Sequence, residues 1–391
     1  MLVADMSTDS ASERFDCLVF VGRFQPFHFG HEKVVRRALE ISDYALLLVG
    51  SANSARSARN PFTYEERQRM IVDAVVEDAG SHFTPGRGLA PSSRIIVKPL
   101  NDHLYNDAAW IEEVQHKVAE TIQRDLPVRD REPRVGIIGF SKDRSCYYLR
   151  IFPGYAAVNV EPYPDRLDNL LEDDARSHPL SATRIRERIY DHALYGGDDS
   201  TPLHELAAAM PPSVRGHLER IWQTAPFQEL IGDVRNVREY KASWANSPFP
   251  PTFTTVDAVV VNAGHVLMVR RGASPGRGQL ALPGGFIQSD ETLLDACIRE
   301  LTEETRIDMS AEQLRAALVS THATTFDDPY RSDRGRTITH AFRFNLNEIS
   351  LPPVQGGDDA AEALWIPLAE LRADRTFEDH AHIIRTMMSV A

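Results

Sequence analysis

The chain has 391 residues, of which 42% are hydrophobic and 25% charged, and its formal net charge at pH 7 is -13. This length predicts two or three domains with sizeable cores. The acidic balance, without an extended basic stretch, excludes a general nucleic-acid-binding protein, so a polyanionic substrate would have to be held by local cationic side chains or a metal ion.

Residues 1–14 lack the basic start and apolar core of a signal peptide, and we expect them to form a disordered tail. No apolar run approaches the length of a membrane span, so no membrane partner is expected. Cys17, Cys146 and Cys297 lie far apart without metal-ligand spacing, which is typical of free thiols in a reducing compartment. We therefore expect a cytoplasmic protein. The sequence does not decide the oligomeric state, and a homo-oligomer is compatible with it.

Short apolar runs alternate with amphipathic stretches from residue 15 to about residue 200. Strands are predicted at CLVFVG (17–22), YALLLVGSA (44–52), RIIVKPL (94–100) and RVGIIGF (134–140), with helices at 31–42, 63–78, 107–122 and 183–194. Strands that alternate with helices predict a parallel sheet with helices on both faces. Residues 15–200 therefore predict an α/β domain.

The rest of the chain predicts a linker and a second domain. Residues 201–250 are mostly helical in pattern, with interruptions at MPPS and TAPF, and they end in the proline-rich stretch SPFPPTF (247–253). The following TTVDAVVVNAGHVLMVRR predicts two strands joined at a turn that contains Gly264. A glycine-rich loop, a long helix, further strands and a closing helix follow. Residues 251–391 therefore predict an α+β domain.

Polar residues cluster directly after the first predicted strand, in GRFQPFHFGH (22–31). Ligands bind at the carboxyl edge of a parallel sheet, and the N-terminus of the next helix attracts phosphate through unpaired N–H groups and its dipole. Gly30 would let a phosphate approach closely, and His28 and His31 share a face if both lie in the first helical turn. The stretch therefore predicts a phosphate-binding site.

GRFQPFHFGH resembles the G-x-F-x-P-x-H-x-G-H signature of the HIGH-type nucleotidyltransferases, which transfer adenylyl or cytidylyl groups. LSATRIR (180–186) resembles the second signature of that superfamily, I-S-x-T-x-x-R. GSANSARSARNPFTYEERQRMI (50–71) is similar to a stretch of the archaeal-type nicotinamide mononucleotide (NMN) adenylyltransferases, whose tryptophan after the third strand matches Trp110. The resemblance implies a Rossmann-like domain that transfers AMP from ATP to NMN and releases NAD and pyrophosphate.

The same resemblance implies the site residues. The implied catalytic residues, which would handle the ATP phosphates, are Arg23, His28, His31 and Arg186. The implied substrate-binding residues are Gly22, Gly30, Ser181 and Thr183, together with Asn60, Arg67 and Trp110 on the nicotinamide side. Core packing stays an alternative for Trp110. Lys142 and Asp143, in GFSKDRSCYY, resemble the adenosine-side loop of the family, and a solvated loop stays an alternative for them.

A second constellation consists of Glu300, Glu303 and Glu304, whose spacing places three carboxylates on one face of a helix. Gathered like charges destabilise a helix unless a cation lies among them, and this many oxygen ligands suit Mg²⁺ or Mn²⁺. GGFIQSDETLLDACIRELTEETRI (284–307) resembles the Nudix box, G-x5-E-x7-R-E-U-x-E-E-x-G-U, except that Arg306 occupies the position of the second glycine. That position lies at the exit of the helix, where glycine serves a left-handed backbone.

The Nudix resemblance implies hydrolysis of a nucleoside diphosphate derivative, first of all ADP-ribose, to AMP and ribose 5-phosphate. Glu300, Glu303 and Glu304 would hold the metal ions, with Glu303 also catalytic. Loop and helix support would come from Gly285, Glu291 and Arg299, and candidate phosphate contacts are Arg331, Arg334 and Arg336, with solvated loop residues as the alternative. Glu362 and His380 are further candidates by position in the family. Both halves together resemble the bifunctional NMN adenylyltransferase/Nudix hydrolase family.

Two alternatives differ from this interpretation. The first is an adenylyltransferase for another acceptor, against which NPFTYEERQRMI and Trp110 argue. The second is a Nudix module that senses a ligand without catalysis, against which the three retained glutamates and the missing basic recognition helix argue. The expected partners are therefore ATP, NMN, NAD and ADP-ribose, with Mg²⁺ or Mn²⁺ as cofactor and without nucleic acid.

Overall fold

The computed structural model describes residues 14–82, 90–140, 151–152, 154–167, 179–196, 205–358 and 360–389. Within these ranges the chain forms two β-sheets, each covered by its own helices. Lys142 and Asp143 lie outside the described residues, as does the predicted tail except for Arg14. No helix in the described ranges combines the length and the apolar composition that a bilayer crossing requires.

The first sheet consists of parallel strands, as the sequence predicts. Its strands are β1 (Phe15–Gly22), β2 (Ser42–Val49), β3 (Ile95–Pro99), β4 (Val135–Gly139) and β5 (Ala156–Asn159), in the spatial order β3-β2-β1-β4-β5. The edge strand β5 escaped prediction because AAVN is short and largely exposed, so it carries no apolar run. The order reverses between β1 and β4, and such a switch point opens a crevice at the carboxyl ends of the strands.

Helices cover both faces of this sheet. They are α1 (Phe29–Ile41), α2 (Tyr64–His82), α3 (Asp107–Arg124) and α4 (Ala182–Tyr195). The alternation of side chains along β1 sends Leu18 and Phe20 into the core on one face and Cys17 and Val19 into the core on the other. Each fully buried side chain of this size contributes about 1.5–3 kcal/mol of hydrophobic stabilisation. This two-sided burial explains why the strands appear in the sequence as continuous apolar runs.

The segment between the two sheets forms two helices, α5 (Pro212–Trp222) and α6 (Ala225–Ser243). Their apolar faces join the same core as α1 and α2, through Val214, Leu218, Phe227, Leu230 and Val234. The sequence predicts this segment as a helical region with a linker, and the structure shows that the helices pack as part of the first core. They therefore add a third helical layer to the first domain.

The second sheet is mixed, and its helices lie on both sides of it. Its strands are β6 (Thr252–Asn262), β7 (His265–Arg271), β8 (Leu280–Ala281), β9 (Gly284–Phe286), β10 (Thr324–Phe326), β11 (Arg336–Asn345) and β12 (Ala360–Pro367), with the main order β10-β11-β6-β7-β12. The strands β11 and β6 pair in parallel and the other neighbours pair antiparallel. The helices are α7 (Leu293–Thr305), α8 (Ala311–Ala316) and α9 (His380–Ser389). This arrangement confirms the predicted α+β class.

Polar contacts join the two halves of the chain. The hydroxyl of Tyr105, which lies after β3, donates to the Asp379 carboxylate at 2.6 Å. The backbone N–H of Gly276 donates to the Asp233 carboxylate of α6 at 3.0 Å. The loop that follows β3 and the helix α6 therefore both contact the second domain directly.

Close packing at Gly136 gives a test of the first sheet. A Cβ atom added at Gly136 would lie 2.8 Å from the Ala156 carbonyl oxygen and 2.8 Å from the Leu18 side chain, whereas a Cβ at Gly232 of α6 would meet no atom within 4 Å. We expect Gly136→Ala to lower the free energy of unfolding by about 1–3 kcal/mol through overpacking. We expect Gly232→Ala to raise it by about 0.5–1 kcal/mol, because alanine loses less backbone entropy in a helix. Urea unfolding of both variants measures the two shifts, and equal shifts would contradict the packing described for β4.

Candidate active sites

The loop after β1 leads into the N-terminus of α1, where the two predicted histidines meet. His28 is the N-cap residue, and its Nδ1 accepts a hydrogen bond from the Gly30 backbone N–H at 3.1 Å. The rings of His28 and His31 stack with their centroids 3.7 Å apart. A Cβ atom on Gly30 would lie 2.9 Å from the His28 ring, so this packing requires glycine. Since Nδ1 accepts, neutral His28 carries its proton on Nε2, which leaves that atom as a donor.

Aromatic side chains fix the position of His31. Its ring centroid lies 4.8 Å from that of Phe24, 5.6 Å from that of Phe27 and 6.0 Å from that of Phe20. Phe24 has a positive φ of 52°, which costs a non-glycine residue about 1–2 kcal/mol. A Cβ atom on Gly22 would lie 2.9 Å from the Phe24 ring. The strained backbone at Phe24 and the absence of a side chain at Gly22 therefore allow the Phe24 ring to pack against His31.

The second predicted signature lies against the same loop. Ser181 caps α4 by accepting a hydrogen bond from the Arg184 backbone N–H at 3.3 Å. Arg186 is 5% exposed and donates to the Gln25 carbonyl at 2.8 Å and to the Thr183 hydroxyl at 3.2 Å. The structure therefore brings the N-termini of α1 and α4 together, with Arg186 linking them. Residues that are about 150 positions apart in the sequence meet at the switch point of the sheet.

Three arginines lie close together at this edge of the sheet. Burial lowers the pKa of Arg186, and the nearby charges of Arg23 and Arg59 lower it further. Guanidinium groups that repel one another in this way favour the binding of a polyanion. Arg59 was missed in the sequence, although its position directly before Asn60 in the RNPFT segment was a usable signal. We call Arg23, Arg59 and Arg186 the arginine cluster.

Arg67 is a buried residue of the first domain. It is 1% exposed, and burial lowers its pKa to about 10. Its guanidinium donates to four backbone carbonyls, those of Arg23 at 2.7 Å, Gly50 at 2.6 Å, Ser51 at 3.0 Å and Thr63 at 3.1 Å. Its donors contact the ends of β1 and β2 and the start of α2, and the substrate contact of Arg67 stays a prediction. Arg67 supports the site from beneath.

Asn60 and Trp110 lie at the same edge of the sheet. The side-chain oxygen of Asn60 is buried and has no hydrogen-bond partner in the described part of the chain. A buried amide oxygen without a partner costs about 1–3 kcal/mol, which a ligand donor would recover. Trp110 lies in the first turn of α3 and is half-buried, with its ring centroid 6.2 Å from that of Phe152. Core packing therefore accounts for part of the Trp110 side chain.

The three glutamates of the second constellation lie on α7. Glu304 is buried and accepts a hydrogen bond from the Gly284 backbone N–H at 3.0 Å. Arg299 donates to Glu300 at 2.9 Å and to Glu303 at 3.0 Å, so one guanidinium separates two of the three carboxylates. The same guanidinium pairs with Glu291 at 2.7 Å. Arg299 is therefore the cation that keeps these like charges on one helical face.

Glycine leaves room for the Glu300 carboxylate where β9 meets α7. A Cβ atom on Gly285 would lie 2.6 Å from the nearer carboxylate oxygen of Glu300. Arg306, at the position of the second motif glycine, has φ 43° and ψ 36°, which is the left-handed conformation that a glycine serves there. The backbone N–H groups of Gln355 and Gly357 donate to the carbonyls of Thr305 and Glu304, at 2.8 Å and 3.0 Å. Arg306 thus places a charged side chain at the helix exit, where the motif has glycine, and the last carbonyls of the helix still have hydrogen-bond donors.

The carboxylates of α7 fit a divalent cation in their chemistry. Burial raises the pKa of Glu300, and the charges of Glu303 and Asp358 raise it further, against the lowering effect of Arg299. No three acidic, histidine or cysteine side chains in the described ranges converge closely enough to form a preformed metal centre. A hard cation would compete with Arg299 for Glu300 and Glu303, since the cation and the guanidinium both prefer negatively charged oxygen atoms as partners.

A cavity of about 290 Å³ opens beside Glu300 and Glu304. Arg334 lines it, with its guanidinium 5.5 Å from the Phe286 ring centroid and 5.7 Å from that of Phe377. A guanidinium that lies between two aromatic rings is oriented by them and remains able to contact a phosphate. Of the three arginines predicted in this region, Arg334 has the position that best fits the prediction.

The other two predicted arginines have different surroundings. Arg331 lines the cavity wall, but its guanidinium forms a buried bidentate pair with Asp379 at 2.9 and 3.0 Å. Arg336 lies at the start of β11 and contacts Asp327 at 3.6 Å, away from the residues that line the cavity. Strand register directs Arg336 to the exposed loop before β11, and its substrate contact stays a prediction.

Two buried groups complete the cavity wall. Asp257 lies within β6, and burial raises the pKa of its carboxyl group. His380 accepts a hydrogen bond from the Leu282 backbone N–H at 2.8 Å, and burial lowers its pKa to about 3. The sequence analysis missed Asp257, although an acid inside the apolar run TTVDAVVV was a usable signal. Glu362 pairs with Arg270 at 3.0 Å outside the cavity.

Replacement of Arg67 tests its supporting role. We expect Arg67→Met to lower the free energy of unfolding by about 3 kcal/mol or more, because several buried carbonyls lose their donor. Chemical denaturation followed by intrinsic fluorescence measures the change. A variant with unchanged stability and a selective loss of nucleotide affinity would support the predicted substrate contact instead.

The buried His380 predicts a pH dependence of stability. The unfolded chain binds a proton near pH 6.5, whereas folded His380 does so only near pH 3, so stability is lost as the pH falls below 6.5. This group alone removes about 2 kcal/mol between pH 7 and pH 5. We expect His380→Asn, whose side-chain oxygen can accept from Leu282, to show a correspondingly weaker loss in urea titrations at both pH values. Parallel pH profiles for the two proteins would contradict this.

Comparisons with known proteins match both halves of the chain. The cytidylyltransferase-like family model matches residues 19–188, and the NUDIX domain model matches residues 251–387. The nicotinamide/nicotinic acid mononucleotide adenylyltransferase of Acinetobacter baylyi is 35% identical over 180 residues, which cover 46% of this chain and 77% of that protein. The ADP-ribose pyrophosphatase of Methanocaldococcus jannaschii is 30% identical over 133 residues, which cover 34% of this chain and 71% of that protein.

A solved structure matches both halves at once. It is the bifunctional NMN adenylyltransferase/ADP ribose pyrophosphatase of Francisella tularensis, complexed with AMP and a manganese ion. The TM-score is 0.78 at 33% sequence identity, and the match covers 96% of this chain and 99% of that one. The chain therefore belongs to the bifunctional NMN adenylyltransferase/ADP-ribose pyrophosphatase family.

Proposed function

We propose that this chain is a bifunctional enzyme of NAD metabolism. Its first domain transfers AMP from ATP to NMN, with release of NAD and pyrophosphate, and its second domain hydrolyses ADP-ribose to AMP and ribose 5-phosphate. The observation that carries the proposal is the meeting of two helix N-termini with the arginine cluster at the switch point of the first sheet. Family membership of both halves supports it.

The chemistry of adenylyl transfer suits these residues. A phosphate oxygen of NMN attacks the α-phosphorus of ATP in line, the bond to the β-phosphate oxygen breaks, and pyrophosphate leaves. This step needs alignment and neutralisation of charge, with little covalent participation from the protein. Arg23 and Arg186 neutralise the phosphates, and the Nε2–H of His28 and the stacked His31 donate to oxygens that gain charge.

The substrate side of the first site follows from the same geometry. The unpaired oxygen of Asn60 is available to an N–H donor, such as the carboxamide of the nicotinamide ring. The half-buried Trp110 offers an aromatic face at the carboxyl edge of the sheet. We therefore assign these two residues to the nicotinamide nucleotide and the arginine cluster to the phosphates.

The chemistry of hydrolysis suits the second site. Glu300, Glu303 and Glu304 would hold divalent cations, Mg²⁺ in the first place and Mn²⁺ as a substitute. When bound, such ions supply positive charge for the diphosphate and lower the pKa of a coordinated water. Arg299 orients Glu300 and Glu303, Glu291 orients Arg299, and Arg334, which lines the same cavity, contacts the diphosphate.

A two-part assay on the purified chain tests the proposal. Formation of NAD from ATP and NMN is measured first, and hydrolysis of ADP-ribose in Mg²⁺ is measured on the same preparation. We expect His31→Ala and Arg186→Ala to lower NAD formation about 10²–10³-fold while hydrolysis stays within twofold, since each removes a preorganised donor. We expect Glu303→Gln to abolish hydrolysis and to leave NAD formation unchanged.

The two activities serve as folding controls for each other. Loss of both activities in every variant would point to unfolding, which thermal melting reveals independently. Near-normal NAD formation in His31→Ala and Arg186→Ala would contradict the assignment of the first site. Hydrolysis that survives in Glu303→Gln, or that is indifferent to chelation of divalent cations, would contradict the assignment of the second.

A further inference from the structure

The loop between β10 and β11, residues 327–335, lies between the two proposed sites. On one side it carries Arg331 and Arg334, which line the cavity of the second domain. On the other side it carries Tyr330 and Asp333, which contact Arg59 of the first domain. One loop therefore contributes residues to the cavity of the second domain and also contacts Arg59, a member of the arginine cluster.

The contact with Arg59 has a specific geometry. Nε of Arg59 donates to the Asp333 carboxylate at 3.1 Å, and the guanidinium lies 4.5 Å from the centroid of the Tyr330 ring. Within the described ranges, Arg59 makes its side-chain hydrogen bond through Nε, and its terminal amino groups form no hydrogen bond with these residues. A carboxylate on one edge and an aromatic ring on one face leave the guanidinium little freedom to rotate.

The electrostatic surroundings explain why such a restraint is needed. Burial lowers the pKa of both Arg23 and Arg186, and the charge of Arg59 lowers both further, so Arg59 lies within repulsive range of the two. An arginine that is partly exposed and repelled by its neighbours would turn toward solvent when no phosphate is bound. Asp333 opposes this because its charge acts on Arg59 from the side away from the Nη groups. Partly exposed ion pairs contribute little to stability, so orientation is the main consequence of this one.

We infer that Asp333, supported by Tyr330, is a positioning residue for adenylyl transfer, supplied by the other domain. It holds Arg59 by Nε so that the terminal amino groups face the substrate phosphates beside Arg23 and Arg186. This inference rests on the proposed function of the first domain and adds that its site is complete only when the Nudix domain is docked. The hydrolase half thus contributes to the synthetic reaction without touching its substrates.

A double-mutant cycle tests the inference on the full chain. The kcat and KM of NAD formation are measured for wild type, Asp333→Ala, Arg59→Ala and the double variant. We expect Asp333→Ala to lower kcat/KM about tenfold, because the orientation of a phosphate-binding group is lost. We expect the double variant to be no worse than Arg59→Ala, since a residue that acts only through Arg59 has no effect once Arg59 is absent.

Two further variants separate positioning from structure. In Asp333→Asn the amide oxygen still accepts from Nε, so we expect most of the activity to return. In Asp327→Ala, on the same loop, the lost partner is Arg336, so we expect NAD formation to stay within twofold of wild type. Hydrolysis of ADP-ribose, measured on each preparation, reports the integrity of the second domain.

The outcomes distinguish the inference from the proposed function. If wild type forms NAD and Asp333→Ala matches it, or if Asp333→Ala lowers kcat/KM equally with and without Arg59, the positioning role is refuted and the proposed function stands. If wild type forms no NAD, both are refuted. A loss in Asp333→Ala that depends on Arg59 and is restored by Asp333→Asn supports the role.

Discussion

The constraint on which the structure depends is the containment of concentrated negative charge by a chain that is itself acidic, with a net charge of -13. Phosphate groups in a partly desolvated site must be matched by charges and dipoles that are already in place. In the proposed function, the first domain meets this constraint with guanidinium groups, imidazoles and two helix N-termini. The second domain would meet the same constraint with a helical face of carboxylates that suits divalent cations. Arg299 orients two of these carboxylates, those of Glu300 and Glu303. The two solutions are opposite in sign, and both require rigid support.

That support comes from residues that do not touch the proposed substrates. Arg67 connects the ends of β1 and β2 to α2 by hydrogen bonds to backbone carbonyls. Aromatic rings pack around His31 and hold its ring in place. In the second domain, the Gly284 backbone fixes Glu304, and glycine at 285 lets β9 approach Glu300. A cation cluster repels itself and a carboxylate face does the same, and each contains a partner of opposite charge, Asp333 at Arg59 and Arg299 at Glu300 and Glu303. The strained φ of Phe24 is a visible local cost of this rigidity.

The sequence predicts the parts of the molecule whose signals are local. Strands β1 to β4 of the first sheet lie in apolar runs, the three glutamates have helical spacing, and Arg306 occupies the position of a motif glycine that serves a left-handed backbone. Burial and long-range pairing leave no such local signal. The sequence NPFTYEER does not show whether its arginine binds a ligand or, as Arg67 does, backbone carbonyls. The exposed edge strand β5 has no apolar run that would predict it. The Arg59–Asp333 contact joins residues 274 positions apart, so only the docking of the two domains reveals it.

The central claim is that each half presents its own preorganised site for phosphate oxygens, the first cationic and the second acidic. A crystal structure of the full chain with a non-hydrolysable ATP analogue, ADP-ribose and Mn²⁺ tests this most directly. The account predicts triphosphate density against Arg23, Arg59 and Arg186, and anomalous manganese density within bonding distance of Glu300, Glu303 and Glu304. Triphosphate bound away from the arginine cluster, or manganese bound away from α7, would contradict it.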